Sequence, residues 1–124
     1  MKYIREYNQS DSNIMRFTIE NYIVDNYLYV FDEFDSQYYY DEKIFKIWAY
    51  ADIPEAEDEE IEQKRIIASC KDFLKPYGKL ARRTVAKVGE DFYEIKITIT
   101  IEKSKLKPLF KEVLFRMEAE KYNL

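Results

Sequence analysis

The chain has 124 residues, of which 47% are hydrophobic, 35% charged and 17% aromatic. A chain of this length can bury a core without disulfides or metal, and its aromatic content argues against disorder. Histidine is absent, which excludes Ser-His and Cys-His nucleophilic catalysis and His-ligated metal sites. We therefore expect one folded domain, residues 1–124, without the commonest catalytic groups of small enzymes.

The net charge of −4 conceals an uneven distribution along the chain. Residues 1–63 contain 5 Lys/Arg against 16 Asp/Glu, whereas residues 64–124 contain 15 against 8. Such asymmetry indicates a basic surface for nucleic acid, an acidic surface for a basic partner, or two halves that neutralise each other in the fold.

The first forty residues allow two interpretations. A helical stripe would contain Ile19, Tyr22, Ile23, Tyr27, Val30, Phe31 and Phe34. The composition, rich in Asn, Tyr, Ile, Val and Asp, instead favours strands, and Asp25-Asn26 would suit a tight turn. We favour two strands, 16–24 and 27–34, over a helix. A further edge strand is expected at residues 2–7.

The middle of the chain predicts a strand followed by a helix. Residues 43–53 alternate in polarity, and their more polar side still carries Trp48 and Tyr50. Acidic residues after Pro54 complement the positive end of a helix dipole, so we predict a helix over 55–75. Its buried stripe would be Ile66, Ile67, Cys70, Phe73 and Leu74. Pro76 and Gly78 would end it.

The last third predicts a hairpin and a second helix. Residues 92–101 alternate at period two, residues 80–88 form a second strand, and 88–91 supply a turn containing Gly89. A helix would begin at Lys105 or Pro108, with Ser104 as a possible N-cap, and run to Lys121. Its apolar face would contain Leu106, Leu109, Phe110, Val113, Leu114 and Met117.

The resulting order, β-β-β-α-β-β-α, predicts an α+β fold. Because hairpins connect the strands, we expect an antiparallel sheet of about 4–6 strands with two helices packed on one face. The expected core consists of Cys70, Phe73, Leu74, Ile95, Ile97, Ile99, Leu106, Phe110, Val113 and Leu114.

An acidic, tyrosine-rich stretch is the first candidate binding surface. It contains Asp32, Glu33, Asp35, Tyr38, Tyr39, Tyr40, Asp41 and Glu42. Three consecutive tyrosines cannot all point inward in an extended chain, so at least one is exposed. Exposed Tyr among carboxylates is typical of a protein-binding surface, because the ring gives contact area and the hydroxyl stays polar.

A basic stretch over residues 64–87 is the second candidate. Its proposed phosphate-binding residues are Lys71, Lys75, Arg82 and Arg83. Arg82 and Arg83 would lie on opposite faces of a strand and cannot form one clamp. The stretch also lacks a Gly-rich cradle or an established nucleic-acid motif.

Other chemistry finds less support in the sequence. The acidic run 55–62 lacks the glycine and the ligand spacing of a calcium loop, so we interpret it as a solvated helix face. Cys70 has no histidine to activate it and is expected to be a buried structural thiol. We predict no catalytic residue, no metal site and no cofactor.

Location is inferred from what the sequence lacks. One cysteine cannot form an intramolecular disulfide, and neither a signal peptide nor an 18-residue apolar run is recognisable. We expect a cytoplasmic protein that does not enter a membrane, including the case of a viral protein in a host cell.

These observations predict a non-catalytic protein that uses an acidic, Tyr-rich face to occlude a basic, nucleic-acid-binding surface of a partner enzyme. Immunity proteins and phage anti-defence proteins, anti-CRISPR proteins among them, have this general character, although no motif ties the chain to them. The alternative is a small nucleic-acid or nucleotide-binding domain that uses residues 64–87.

Overall fold

A computed structural model describes residues 2–87, 89 and 92–122, with side chains described for 13–87, 89 and 92–122. In chain order the elements are α1 (Lys2–Ile23), a π-helical segment (Val24–Leu28), β1 (Glu33–Tyr39), β2 (Ile44–Asp52), α2 (Glu57–Leu74), β3 (Gly78–Ala86), β4 (Tyr93–Glu102) and α3 (Lys103–Tyr122). The predicted α+β class with an antiparallel sheet is confirmed. The predicted element order and the number of helices are wrong, because the described part has four strands and three helices.

The four strands form one sheet in the order β1-β2-β4-β3, and every neighbouring pair is antiparallel. The register places Asp35 of β1 opposite Trp48 of β2, Trp48 opposite Thr98 of β4, and Thr98 opposite Ala81 of β3. Residues directly opposite each other point to the same face. We call each set of opposite residues a level. The side chains of a level that point to one face form a row across the sheet.

All three helices contribute to a core on one face of the sheet. The sheet supplies Leu80, Phe45, Ile47, Ala49, Ala51, Ile95, Ile97, Ile99 and Ile101, and the helices supply Ile19, Tyr22, Ile23, Ile67, Cys70, Phe73, Leu74, Leu106, Leu109 and Val113. Along β2 and β4 these buried positions alternate with half-buried ones. The half-buried side chains point away from the core, so we refer to their side of the sheet as the open face.

The N-terminal segment corrects the two-strand prediction. Residues 2–23 are helical, including 2–7, where an edge strand was expected, and the helix continues into the π-helical segment rather than a tight turn. Ile19, Tyr22 and Ile23 follow helical spacing and are buried against the core. Burial of this stripe outweighs the weak intrinsic helix preference of the composition, because propensities differ by only fractions of a kcal/mol per residue.

β2, α2, β3, β4 and α3 agree with the prediction apart from their ends. The predicted strand 27–34 is wrong, because β1 covers residues 33–39 and residues 24–28 are π-helical. Helix α3 begins at Lys103, so Ser104 and Pro108 lie inside it. Of the predicted core, Leu114 is 44% exposed and Phe110 is half-buried. In the β3–β4 turn Gly89 has φ 80°, whereas residues 88, 90 and 91 of the predicted turn lie outside the described residues.

Candidate interaction surface on the open face of the sheet

Three aromatic rings lie together on the open face, on the neighbouring strands β1 and β2. Tyr39 and Trp48 are in edge contact, with ring centroids 6.4 Å apart and planes at 82°. Tyr50 lies on the same face, two residues beyond Trp48. The Lys46 ammonium lies 5.4 Å from the Tyr39 ring centroid, and the Lys96 ammonium lies 5.3 Å from that of Tyr50. Cation–π contact therefore holds two lysines against two of the rings.

Charge changes sign across the open face. Glu33 and Asp35 on β1 form what we call the acidic side, and Lys79 and Arg83 on β3 form the basic side; all four are exposed. The strands β1 and β3 are the two edges of the sheet. With a strand spacing of about 4.8 Å, the two sides are separated by roughly 14 Å.

The ion pairs among the described residues include neither the acidic nor the basic side. Across the described residues, the ion pairs join Lys64 to Glu60, Arg65 to Glu62, Lys87 to Asp52 and Arg116 to Glu112. No pair in this part of the chain includes a residue of the acidic or the basic side. Their charges are therefore available to a partner.

The predicted acidic, tyrosine-rich stretch is divided between faces. Glu33, Asp35 and Tyr39 lie on the open face, whereas Tyr38 points to the helix side, where the Arg16 guanidinium lies 4.7 Å from its ring centroid. Asp32 precedes β1, and its carboxylate accepts a hydrogen bond of 3.3 Å from the backbone N–H of Asp52.

The turn between β1 and β2 carries the rest of that stretch. Tyr40 is 73% exposed, with its ring centroid 4.8 Å from that of Tyr38, and Asp41 and Glu42 are exposed. Glu42 lines a cleft that also contains Lys43, Lys103 and Lys107. Because these basic residues adjoin Glu42, the turn is a surface of mixed charge rather than a continuation of the acidic side.

The four predicted phosphate-binding residues do not form one cluster. Lys71 and Lys75 lie at the end of α2, on the helix side of the sheet, and Arg82 also points to that side. Arg83 lies on the open face, as the alternation of a strand requires. Earlier in α2, Lys64 and Arg65 pair with acids one turn before them. The basic stretch is therefore distributed over both faces and partly neutralised within α2.

The aromatic and basic residues at the centre of the open face were absent from the predicted site. Lys46, Trp48 and Tyr50 share a face through the alternation of β2. Lys96 joins them only through the β2–β4 register, which pairs strands about fifty residues apart in the chain. The sequence did contain one signal for this surface. The more polar side of the predicted strand 43–53 carried two aromatic rings, which a solvated strand face does not require.

Two ionisable side chains, Cys70 and Arg116, pack between the helices. Cys70 is 1% exposed, and burial raises the pKa of its thiol to about 12. The Arg116 guanidinium lies 4.5 Å from the Phe73 ring centroid, and its Nε donates a 3.0 Å hydrogen bond to Glu112. Burial lowers the pKa of Arg116, but hydrogen bonds to Glu112 and Tyr22 more than offset it, so the pKa is raised. Among the described residues, no group of three metal-ligating side chains occurs.

Comparison of the chain with protein-family models, with curated proteins and with solved structures finds no match. Within the described residues, no helix has the length and apolar character needed to cross a membrane.

Proposed function

We propose that this chain is a non-catalytic interaction domain that binds a protein partner through the open face of its sheet. The observation that carries the proposal is the placement of Trp48 and Tyr50 directly opposite Asp35 and Glu33, two carboxylates that take part in no ion pair among the described residues. Tyr39 extends the row of rings by its edge contact with Trp48. Aromatic rings dominate the energetics of protein interfaces, and complementary charge at their margins directs the encounter.

The acidic side indicates that the partner has a basic surface. Glu33 and Asp35 are exposed carboxylates on an edge strand, and Asp32 lies directly before them. A partner with a basic surface would meet these groups first and would then bury the rings of the open face. Occlusion of a basic, nucleic-acid-binding surface on an enzyme is the inhibitory action that we propose for this domain, as in immunity and anti-defence proteins.

Single-stranded nucleic acid is the second candidate for the same face. In its favour, Lys46 and Lys96 lie beside Trp48 and Tyr50, and the basic side follows on β3, beyond β4. Bases stack on such rings while cations bind phosphates. Against it, the acidic side lies directly opposite those two rings on β1, where it would repel the phosphate backbone. We favour a protein partner because rings and carboxylates share the same side of the face.

A capture experiment with charge-matched variants tests the proposal. Tagged wild-type chain is compared with Glu33→Lys/Asp35→Lys on the acidic side and with Glu118→Lys/Glu120→Lys on α3. All four positions are exposed, and α3 lies on the opposite side of the sheet. Proteins retained from a lysate are identified by mass spectrometry. We expect the wild type and the α3 variant to retain the same protein and the acidic-side variant to lose it.

A parallel titration addresses the second candidate. Binding of a fluorescent oligothymidine of about 15 nucleotides is measured at about 50 and about 200 mM salt, because phosphate-driven affinity falls steeply with salt. Salt-sensitive binding that is lost in Lys79→Glu/Arg83→Glu, together with unchanged protein capture by the acidic-side variant, would replace our proposal with nucleic-acid binding.

A further inference from the structure

The two halves of the open face differ in size as well as in charge. The half formed by β1 and β2 carries the rings of Tyr39, Trp48 and Tyr50 and the acidic side. The half formed by β4 and β3 carries the small side chains Thr98, Thr100 and Ala81, the acids Glu94 and Glu102, and the basic side. The rings of the first half therefore complement the small side chains of the second, and the two edge strands are opposite in charge.

One symmetry operation brings these complementary halves together. Rotation by 180° about an axis parallel to the strands turns a second sheet to face the first and places its β3 over β1 and its β4 over β2, since the strand order is β1-β2-β4-β3. Rotation about an axis across the strands would instead place acidic side over acidic side. Facing sheets in proteins pack about 10 Å apart with their strands within about 30° of each other, which this first arrangement allows.

We propose that a second copy of this chain binds the open face, with the acidic side of each copy against the basic side of the other. This inference rests on the proposed function and names a partner for the same surface. The basic surface that the acidic side requires is then carried by the chain itself. Within one chain, Lys64, Arg65 and Lys87 already pair with acids of residues 1–63. The dimer would neutralise the charges that remain on the two edge strands.

The register gives the contacts expected at the centre of this dimer. One level consists of Glu33, Tyr50, Lys96 and Arg83. Rotation about an axis parallel to the strands places Glu33 against Arg83 of the second copy. It also places Tyr50 against Lys96 of the second copy. At the next level Trp48 faces Thr98 of the second copy, so that a large ring meets a small side chain. Carboxylate–guanidinium and cation–π contacts are both favourable there.

At one level of the open face, two carboxylates would meet across the dimer interface and weaken the association. Asp52 and Glu94 lie opposite each other on β2 and β4, and the rotation brings each against the other residue of the second copy. Lys87 forms a 2.7 Å ion pair with Asp52 and so offsets part of this repulsion. The dimer contact is therefore strongest at the levels of Glu33 and Trp48.

The area of the face predicts a weak dimer. Four strands about 4.8 Å apart, with about seven residues each at about 3.4 Å per residue, cover roughly 500 Å² on each copy. The total of roughly 1,000 Å² is the lower limit for a specific interface. Interfaces of this size are typical of weak, transient contacts, so a basic partner at sufficient concentration would displace the second copy and expose the acidic side.

Sedimentation velocity of the purified full chain tests this proposal without any partner. Wild type should shift from 15.1 kDa towards twice that mass as its concentration rises from about 1 to about 300 μM. Glu33→Lys/Asp35→Lys and Lys79→Glu/Arg83→Glu should each weaken the dimer by at least about tenfold, because each makes the charges of facing edges alike. The α3 variant Glu118→Lys/Glu120→Lys should dimerise as the wild type does.

Two combinations make the test specific to this arrangement. An equimolar mixture of the acidic-side and basic-side variants should form a heterodimer, and the chain that carries all four reversals should regain the homodimer, because both restore opposite charges across the interface. Circular dichroism of each variant verifies the fold before sedimentation.

Three results would overturn the proposal. They are a wild type that stays monomeric at about 300 μM, single-edge variants that dimerise as the wild type does, or a mixture that fails to associate. A monomeric wild type whose capture of another protein still depends on Glu33 and Asp35 would refute the dimer and leave the proposed function intact. Dimerisation through this arrangement, with no protein captured from the lysate, would refute the proposed function as inhibition and leave the dimer intact.

Discussion

Cys70 is a thiol whose surroundings keep it in the neutral form. It lies on the buried face of α2 at 1% exposure, in the same core cluster as Phe73 and Leu74. Burial raises the pKa of its thiol from 9.0 to about 12, so the thiolate that would act as a nucleophile is scarcely populated near neutral pH. The residue is part of the packing rather than of a reactive site.

This pKa predicts how stability depends on alkaline pH. Since the folded state disfavours the thiolate, the contribution of the Cys70 thiol is fully present below about pH 9 and is lost as the pH rises towards 12. The free energy of unfolding of the wild type relative to Cys70→Ala should fall by up to about 1.4 kcal/mol per pH unit in that range. Urea denaturation of both proteins between pH 7 and about pH 11 measures the difference, and parallel pH profiles would contradict the assignment.

At the residue scale, the sequence predicted inward and outward positions wherever a strand alternates. Ile95, Ile97 and Ile99 are buried as expected, and the separation of Tyr38 from Tyr39 follows from the same rule. Polarity alone would place Gln63 on the surface, but the residue is 3% exposed and lies on the buried side of α2. Its burial depends on what packs against α2, which a single-residue preference does not encode.

At the element scale, α3 provides a matched pair of leucines. Leu109 has no exposed surface, whereas Leu114 on the same helix is 44% exposed. Leu109→Ala should lower the free energy of unfolding by about 2–5 kcal/mol through lost burial and a residual cavity. Leu114→Ala should change it by about 1 kcal/mol or less. Chemical denaturation of both variants checks the packing of α3, and similar losses at both positions would contradict it.

The helices and strands were predictable to different degrees, for physical reasons. β2, β4 and α2 have strong periodic patterns that match their burial, so local sequence determines them well. α1 has a helical stripe but a composition that favours strands, and its packing against α3 decides between the two. That contact joins the beginning and end of the chain, and no local pattern contains it.

At the scale of the whole molecule, the uneven charge of the sequence becomes a difference between two edges of one sheet. Acids from the first half lie on β1, and cations from the second half lie on β3. The prediction of an acidic surface came from composition, whereas its position beside Trp48 and Tyr50 required the strand order. The open face therefore brings together the predicted acids, the unpredicted rings and the opposite charge.

Photo-crosslinking from two aromatic positions tests whether the open face binds protein. A benzoylphenylalanine is placed at Trp48 on the open face or at Phe115, which is 69% exposed on α3. After irradiation in a cell lysate, adducts are separated by mass and identified. We expect protein adducts, with a second copy or another chain, from position 48 and not from position 115. Protein adducts from position 115 alone, or nucleic-acid adducts from position 48, would contradict it.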